Sequence, residues 1–154
     1  MFNISCIFNE AKDKINDFIN GVSFIINTEL VVGVPEESGD ARSAALLYLH
    51  ENGAPGANIP PRPALQIGLG SVKGEMDALM RAGKRSALRG DVESAQEYYE
   101  RAGEIGASAV KGVMGTEALA PNAPRTVAKK GFNAPLIETG QLQGAITYVV
   151  RQKR

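Results

Sequence analysis

The chain has almost none of the residues that redox, metal or nucleophile chemistry requires. Of 154 residues, one is cysteine and one is histidine. The single cysteine, Cys6, excludes an internal disulfide and a thiol-rich metal site, and it fits a reducing cytoplasm. One histidine excludes a site with two histidine ligands. No apolar run approaches 18 residues and no basic-then-apolar leader opens the chain, so we expect neither a transmembrane helix nor a signal peptide.

Charge of one sign is not in excess either. Lysine plus arginine balances aspartate plus glutamate at 17 each, which gives no global signature of a nucleic-acid-binding protein. The distribution is uneven, however. Residues 1–51 hold 3 basic and 8 acidic residues, a net of −5, and residues 118–154 hold 6 and 1, a net of +5. This asymmetry is compatible with head-to-tail association of copies and equally with pairing inside one molecule.

Candidate catalytic residues are few. His50 and Glu51 are the only histidine and carboxylate neighbours, and adjacent residues on a helix do not face each other. Ser38 and Ser43 have no histidine at a known motif spacing, and an apolar setting keeps the Cys6 thiol inert. We therefore predict no enzyme activity, no catalytic or metal-binding residue and no cofactor.

Hydrophobic periodicity predicts the secondary structure of residues 4–51. Apolar residues at three- and four-residue spacing indicate an amphipathic helix over residues 4–22, ended by Gly21. Residues 24–26 and 30–34 are typical of strands, either joined by a tight turn at residues 27–28 or forming one long bent strand. An acidic loop over 35–40 precedes a helix over 41–51, with Leu47 and Tyr48 inward.

The middle of the chain predicts a helical hairpin. Helical spacing runs from residue 64 to 89, Gly90 interrupts it, and Asp91 is placed to cap a second helix that ends near Gly115. The second helix contains several glycines that permit close approach of another backbone. The β-branched and aromatic residues 145–150 indicate a final strand.

Together these elements predict one α+β domain over residues 1–154. A small, mostly antiparallel sheet from residues 22–34 and 145–151 packs against the N-terminal helix and the hairpin. The parts follow in order as an N-terminal helix with strands (1–34), helices (41–115), and a basic loop, capped turn and final strand (117–151). The stretches 35–40, 53–63 and 117–136 are expected to be extended projecting loops.

Two motifs carry further information. Residues 117–136 are dense in proline, glycine and asparagine, which predicts no regular helix there. The sequence APRTVAKKG (123–131) leads to PLIETGQL (135–142). In the second motif Thr139 is placed to cap a short turn, and Gly140 to allow either close packing or a special backbone angle. Earlier, a helix end HENG (50–53) precedes the extended passage PPRP (60–63).

The order and spacing of these motifs resemble those of the tail-completion, or virion morphogenesis, proteins of tailed bacteriophages. That family has a similar His-Glu-x-Gly helix end, a Pro-x-Arg-Pro opening of a long helix, an (Arg/Lys)-Lys-Gly and a Pro-Leu-Ile-(Asp/Glu)-Thr-Gly-x-Leu. This chain departs from the pattern at Ala64, where an aromatic residue is usual, and at Ala145, where a serine is usual. The matching residues of structural importance are His50, Gly53, Pro60, Pro63, Gly131, Pro135, Thr139, Gly140 and Leu142.

The resemblance implies a structural virion protein at the head-proximal end of the tail, assembled in the host cytoplasm, that helps join tail to head. Its partners would be copies of itself in a ring and other neck and tail proteins, namely an adaptor, a stopper or head-closure protein, and a tail terminator or tube. Nucleic acid would at most pass through the channel. Candidate interface residues are Arg62, Arg125, Lys129, Lys130, Arg151, Lys153, Glu36, Glu37 and Asp40. The alternative is a nucleic-acid-binding module that uses the basic 125–130 loop.

Overall fold

The computed structural model describes residues 4–36, 40–137 and 140–153, with side chains from residue 9 onward. Seven helices and two strands follow one another in these ranges. They are α1 (Ile4–Asn27), β1 (Thr28–Gly33), α2 (Ala41–Asn52), a 3-10 helix (Pro55–Ala57), α3 (Ala64–Leu88), α4 (Val92–Val113), α5 (Pro124–Lys130), α6 (Gln141–Ala145) and β2 (Thr147–Gln152). The predicted α+β class is confirmed.

Helices α3 and α4 form the predicted hairpin. The Asp91 carboxylate accepts a hydrogen bond from the Ser94 N–H at 3.0 Å and so caps α4. The two backbones approach closely at Gly68, where an added Cβ would lie 2.6 Å from the Cα of Val110. A glycine inside a helix usually weakens it, but here it allows the second helix to pack against the first.

Helix α1 is longer than the prediction. Gly21 does not end it, and residues 24–26, predicted as a strand, belong to its last turn. Gly21 is buried because the Ala87 carbonyl at the end of α3 occupies the space that a side chain would need. Phe24 packs edge-on against Tyr99 of α4 at 5.4 Å between ring centroids. These tertiary contacts keep the β-branched residues of this stretch helical.

The sheet consists of β1 and β2 in antiparallel pairing, with Leu30 opposite Val150 and Glu29 opposite Arg151. The prediction of a small antiparallel sheet from the two ends of the chain is therefore confirmed. The strand β2 begins at Thr147, two residues later than expected, because residues 141–145 form α6. The Tyr148 ring covers Gly103, which joins the sheet to α4.

Helix α2 begins at the predicted residue, Ala41, and ends before Gly53 at the predicted HENG helix end. The Asp40 carboxylate accepts from the Ser43 N–H at 2.9 Å, and Gly53, at φ 70°, donates its N–H to the Leu49 carbonyl. Leu47 is buried as predicted. The inward prediction for Tyr48 is wrong, because its side chain is 74% exposed.

The stretch 117–136 is not wholly irregular. Helix α5 occupies residues 124–130, a correction to the prediction that no regular helix forms there. Pro124 stands at the first helical position, where proline is tolerated because its missing N–H would have had no helical partner. Likewise, a 3-10 helix and a bridge between Ala54 and Ile59 fold the 53–63 stretch back on itself. Residues 54–59 and 124–130 are therefore folded, which corrects the prediction that 53–63 and 117–136 are wholly extended projecting loops.

The core lies where the hairpin, the sheet and α6 meet. Its most buried members include Leu47, Ala64, Val110, Met114, Leu119, Leu142 and Ile146. Leu142, predicted from the motif as a structural residue, joins α6 to this cluster. None of the helices in the described ranges is long and apolar enough to span a membrane.

Candidate functional site

The two motif-bearing stretches, far apart in sequence, converge on one cleft of about 670 Å³. Helix α2 forms one wall and the 58–62 passage a second. The remainder comes from residues between 121 and 130, from Leu136 and from residues 140–142. This size falls in the range of small-ligand and peptide sites. We refer to it as the cleft.

Arg62 forms part of the cleft and is only 7% exposed. Its Nε donates to the Ala120 carbonyl at 2.7 Å and its Nη2 to the Pro121 carbonyl at 2.9 Å. Its backbone N–H donates to the His50 carbonyl at 2.6 Å. Pro61 and Pro63 flank it directly and Pro60 comes just before them, so proline rings fix φ on both sides of the arginine. These internal contacts of Arg62 hold three segments together, and its role at an interface stays a prediction.

Lys130 is also used inside the molecule. Its Nζ donates to the carbonyl oxygens of Ala134 and Ile137, and lies 5.2 Å from the centroid of the Phe132 ring. Gly131, at φ 81°, caps α5 by donating its N–H to the Val127 carbonyl. The chain after α5 is thereby folded onto the cleft, and the role of Lys130 at an interface stays a prediction.

His50 and Asn122 leave polar atoms without partners. The Nδ1 of His50 and the Nδ2 of Asn122 are buried, and neither has a hydrogen-bond partner in the structure. Burial lowers the pKa of His50, and the nearby Arg62 cation lowers it further, so the imidazole is kept neutral. Buried polar atoms without partners are uncommon, and each calls for an explanation.

The backbone around the cleft contains two non-glycine residues with positive φ. Asn58 has φ 53° and Leu136 has φ 65°, and both line the cleft. Asparagine adopts this conformation readily, but leucine does so at a cost. Strained residues of this kind persist where the surrounding structure holds them, often at binding sites.

The remaining interface candidates have varied surroundings. Arg125 and Lys129 are exposed on α5. Arg151 forms an ion pair with Glu29 across the sheet at 2.9 Å, and the Lys153 Nζ donates to the Ile26 carbonyl at 2.7 Å. Glu36 is exposed, and Asp40 caps α2. Their role in assembly stays a prediction.

The other motif residues have local structural roles where they are described. Pro135 accepts the Gly115 N–H at 2.9 Å, and Gly140 precedes α6 with φ 75°, the positive angle that its glycine suggested. Glu51 accepts the Leu65 N–H at 2.5 Å, which ties the end of α2 to the start of α3. The predicted cap at Thr139 and the interface candidate Glu37 lie outside the described residues.

Sequence reasoning missed several cleft residues. Arg42, Asn58, Asn122 and Leu136 all line it, but only the turn-rich text around Asn58 and Asn122 offered a signal. Arg42 was indistinguishable from any solvated helix residue. The positive φ of Leu136 has no sequence signature.

The cleft is cationic and offers no paired nucleophile and base within α2. Arg42, Arg62 and Lys130 line it, and no lining residue in the described part of the chain is a carboxylate. Ser43 and His50 both line it, but they are two helical turns apart, about 10 Å along the axis, which exceeds hydrogen-bond reach. In the part of the chain that the structure describes, no three histidine, cysteine, aspartate or glutamate side chains lie together as potential metal ligands.

Comparisons with known proteins assign no family. No family model, no curated protein and no solved structure matches this chain.

Proposed function

We propose that this chain is a structural protein of a tailed-phage virion, a neck or tail-completion component that assembles in several copies and helps join tail to head. The motif resemblance suggests the class of particle. One structural observation supports assembly most directly, and it is the uncovered apolar stripe on α1.

The stripe comprises Ile15, Phe18, Ile19 and Ile26, at three-, one- and seven-residue steps that place them on one side of the helix. Their side chains are 51–59% exposed. Every residue from 9 to 20 is exposed, whereas Gly21 is buried against the end of α3. The helix is about 36 Å long. Among its residues with described side chains, packing on the body of the same molecule is seen at Asp17, against Gly90, and towards the C-terminal end at Gly21 and Phe24.

Covering this stripe would stabilise an assembly. Complete burial of such a side chain contributes about 1.5–3 kcal/mol, and roughly half of that remains available for each of the four. Contiguous exposed apolar surface of this kind is typical of protein-protein interaction sites. A second copy of the chain is the partner that a ring requires.

The acidic beginning and basic end support the same proposal. Glu10, Asp13 and Asp17 lie along α1, and Arg125 and Lys129 lie exposed on α5. Contacts between such charges on neighbouring copies would orient them, although exposed pairs contribute only about 0–1 kcal/mol each. The apolar stripe would supply most of the free energy of association.

The alternative is a nucleic-acid-binding module. The exposure of Arg125 and Lys129 favours it, but Lys130, the third residue of that basic group, is engaged with the carbonyls of Ala134 and Ile137. Two outward cations would give a shallow dependence of binding on salt. Tight oligonucleotide binding that falls steeply with salt would favour this alternative over assembly.

The test of the assembly proposal is a double substitution, Ile15→Asp with Ile19→Asp. Both side chains are exposed, so the monomer should retain its helical circular dichroism and thermal midpoint. Sedimentation should show concentration-dependent oligomers for the parent chain and monomer for the variant. Tyr48→Asp, on the exposed side of α2, is the control and should assemble as the parent does.

The role in the particle is tested by complementation of a phage that carries a null allele. We expect DNA-filled heads and separate tails from the null phage. The parent chain and Tyr48→Asp should restore infectious particles, and the Ile15→Asp, Ile19→Asp variant should not. Normal infectious particles from the null phage would exclude the tail-completion role.

A further inference from the structure

We propose that the cleft binds an extended segment of a partner protein through an aspartate or glutamate side chain, with Arg42 and Arg62 as the counter-ions. This inference stands on the geometry of the cleft and does not require the neck function. It assigns the cleft a ligand class, a peptide carboxylate.

The first support is a buried cation without a counter-ion. Arg62 is 7% exposed and donates to two carbonyl oxygens, yet no carboxylate in the described part of the chain forms an ion pair with it. A guanidinium has five N–H donors, and the two carbonyls engage only its Nε and Nη2. Carbonyl oxygens do not neutralise the charge, and a buried charge is disfavoured unless it is paired. An incoming carboxylate would supply the missing negative charge.

The second support comes from the two orphaned polar atoms. The His50 Nδ1 and Asn122 Nδ2 atoms are buried without partners, and both residues line the cleft. The amide of Asn122 is a donor and suits a carboxylate or carbonyl oxygen. A neutral imidazole can either donate or accept at Nδ1. A ligand that carries carboxylate and peptide groups would give both atoms a hydrogen-bond partner.

The shape and lining favour a peptide over a nucleic acid. Leu46, Ile59 and Leu136 line the cleft beside the cations, and its volume of about 670 Å³ fits a short peptide segment. Nucleic-acid sites combine cations that track a backbone with aromatic rings on which bases stack. No described lining residue is tryptophan, tyrosine or phenylalanine, and Arg62 is recessed.

The experiment uses the whole chain and a defined set of probes. These are N-acetylated, C-amidated hexapeptides of alanine, leucine and proline with one central aspartate or glutamate, and matched peptides with asparagine or glutamine there. His50 is the only histidine in the chain, so its ring resonances report on the cleft without ambiguity. We expect the acidic peptides to shift these resonances and to raise the pKa of His50, because a bound carboxylate favours the imidazolium. The amide peptides should bind about tenfold more weakly or worse.

Matched variants locate the binding. Arg42→Gln removes an exposed cation that lines the cleft, and Arg125→Gln removes an exposed cation of α5 that does not. Both change the net charge equally. We expect about tenfold weaker binding of the acidic peptides for Arg42→Gln and unchanged binding for Arg125→Gln. Arg42 is exposed and attracts the Asp40 carboxylate, whose pKa it helps to lower. Interactions between exposed charges contribute little to stability, so the loss of Arg42 should leave folding intact.

Several results would overturn the inference. The first is that no acidic peptide of the set shifts the His50 resonances at millimolar concentration, and the second is that acidic and amide peptides bind equally. A loss of binding in Arg125→Gln that equals the loss in Arg42→Gln would show general charge attraction and overturn it too. If a twelve-residue oligothymidylate or inorganic phosphate binds with the Arg42 dependence and the peptides do not, the cleft is a phosphate site. None of these outcomes bears on the assembly of α1, which the sedimentation of the Ile15 and Ile19 variant tests separately.

Discussion

The Nε atom of Arg62 lies 2.7 Å from the carbonyl oxygen of Ala120, which is 58 residues further along the chain. This hydrogen bond, together with the one from Nη2 to Pro121, connects the proline-rich passage before α3 to the segment before α5. Both partners are backbone atoms, so the contact depends on the fold and not on any sequence pairing. The walls of the cleft meet at this point.

Replacing Arg62 should therefore destabilise the fold. Arg62→Gln removes two hydrogen bonds from a charged donor and should lower the free energy of unfolding by about 3 kcal/mol. Arg62→Lys should also be unfavourable, because lysine lacks the planar fork of donors. Urea denaturation measures both. Arg125→Gln, exposed on α5, should stay within about 0.5 kcal/mol of the parent. A parental midpoint for Arg62→Gln would show that these bonds do not hold the cleft together.

The contact between α3 and α4 depends on a missing side chain. In Gly68→Ala the new Cβ would lie 2.6 Å from the Val110 Cα, so the helices must separate, at a cost of about 1–3 kcal/mol. Gly70, two residues later in the same helix, has nothing within 4 Å of an added Cβ. Gly70→Ala should therefore stabilise the helix by about 0.5–1 kcal/mol. Thermal unfolding of the two variants should give midpoints on opposite sides of the parent, and the same sign for both would contradict the close approach.

Gly140 and Gly144 form a second pair of glycines for comparison, in which the backbone conformation decides the effect of an alanine substitution. Its φ is 75° and no atom lies within 4 Å of an added Cβ, so Gly140→Ala is disfavoured by backbone conformation alone, by about 1–2 kcal/mol. Gly144 lies in α6 in equally open space without a positive φ. Gly144→Ala should be neutral or stabilising. Denaturant midpoints of the pair separate conformational cost from packing, and equal midpoints would refute the left-handed assignment.

The pH dependence of stability should include a contribution from His50. Burial and the Arg62 cation lower its pKa in the folded chain from the ordinary 6.5. When the pH falls below the unfolded-state pKa of 6.5, His50 takes up a proton in the unfolded chain but not in the folded chain. The contribution of the neutral His50 to the free energy of unfolding is therefore complete above pH 6.5 and decreases as the pH falls toward the folded-state pKa. Urea midpoints at about pH 8 and about pH 5.5 should therefore differ more for the parent than for His50→Gln. An identical difference in both chains would mean that His50 is not desolvated.

The boundaries of several elements were predictable because their causes are local. Asp91 caps α4 and Gly53 ends α2 through contacts within a few residues, and the sequence contains both partners of each contact. The pairing of β1 with β2 was predictable in kind, since two β-branched segments at opposite ends of one small domain have few other partners. Its register was not, because register depends on which faces the helices cover.

The errors arose where distant contacts override local preference. Gly21 looks like a helix end, but it lies inside α1 because the Ala87 carbonyl packs against it. Tyr48 has the apolar spacing of a core residue, yet it is 74% exposed because no element within the described residues covers that side of α2. Pro124 looks like a loop residue and instead begins α5.

The cleft shows the same division between features with local causes and features that depend on distant contacts. The sequence by itself determined which residues are unusual, namely an arginine between prolines, the only histidine, and glycines whose positive backbone angles end helices. Only the tertiary structure decided that Arg62 is internal, that Lys130 is engaged with the carbonyls after α5, and that Arg42 and Asn122 border the same cleft as His50. The physical reason is that caps and turns are satisfied by neighbours within about four residues, whereas burial and the pairing of charges depend on segments that the chain brings together from far apart.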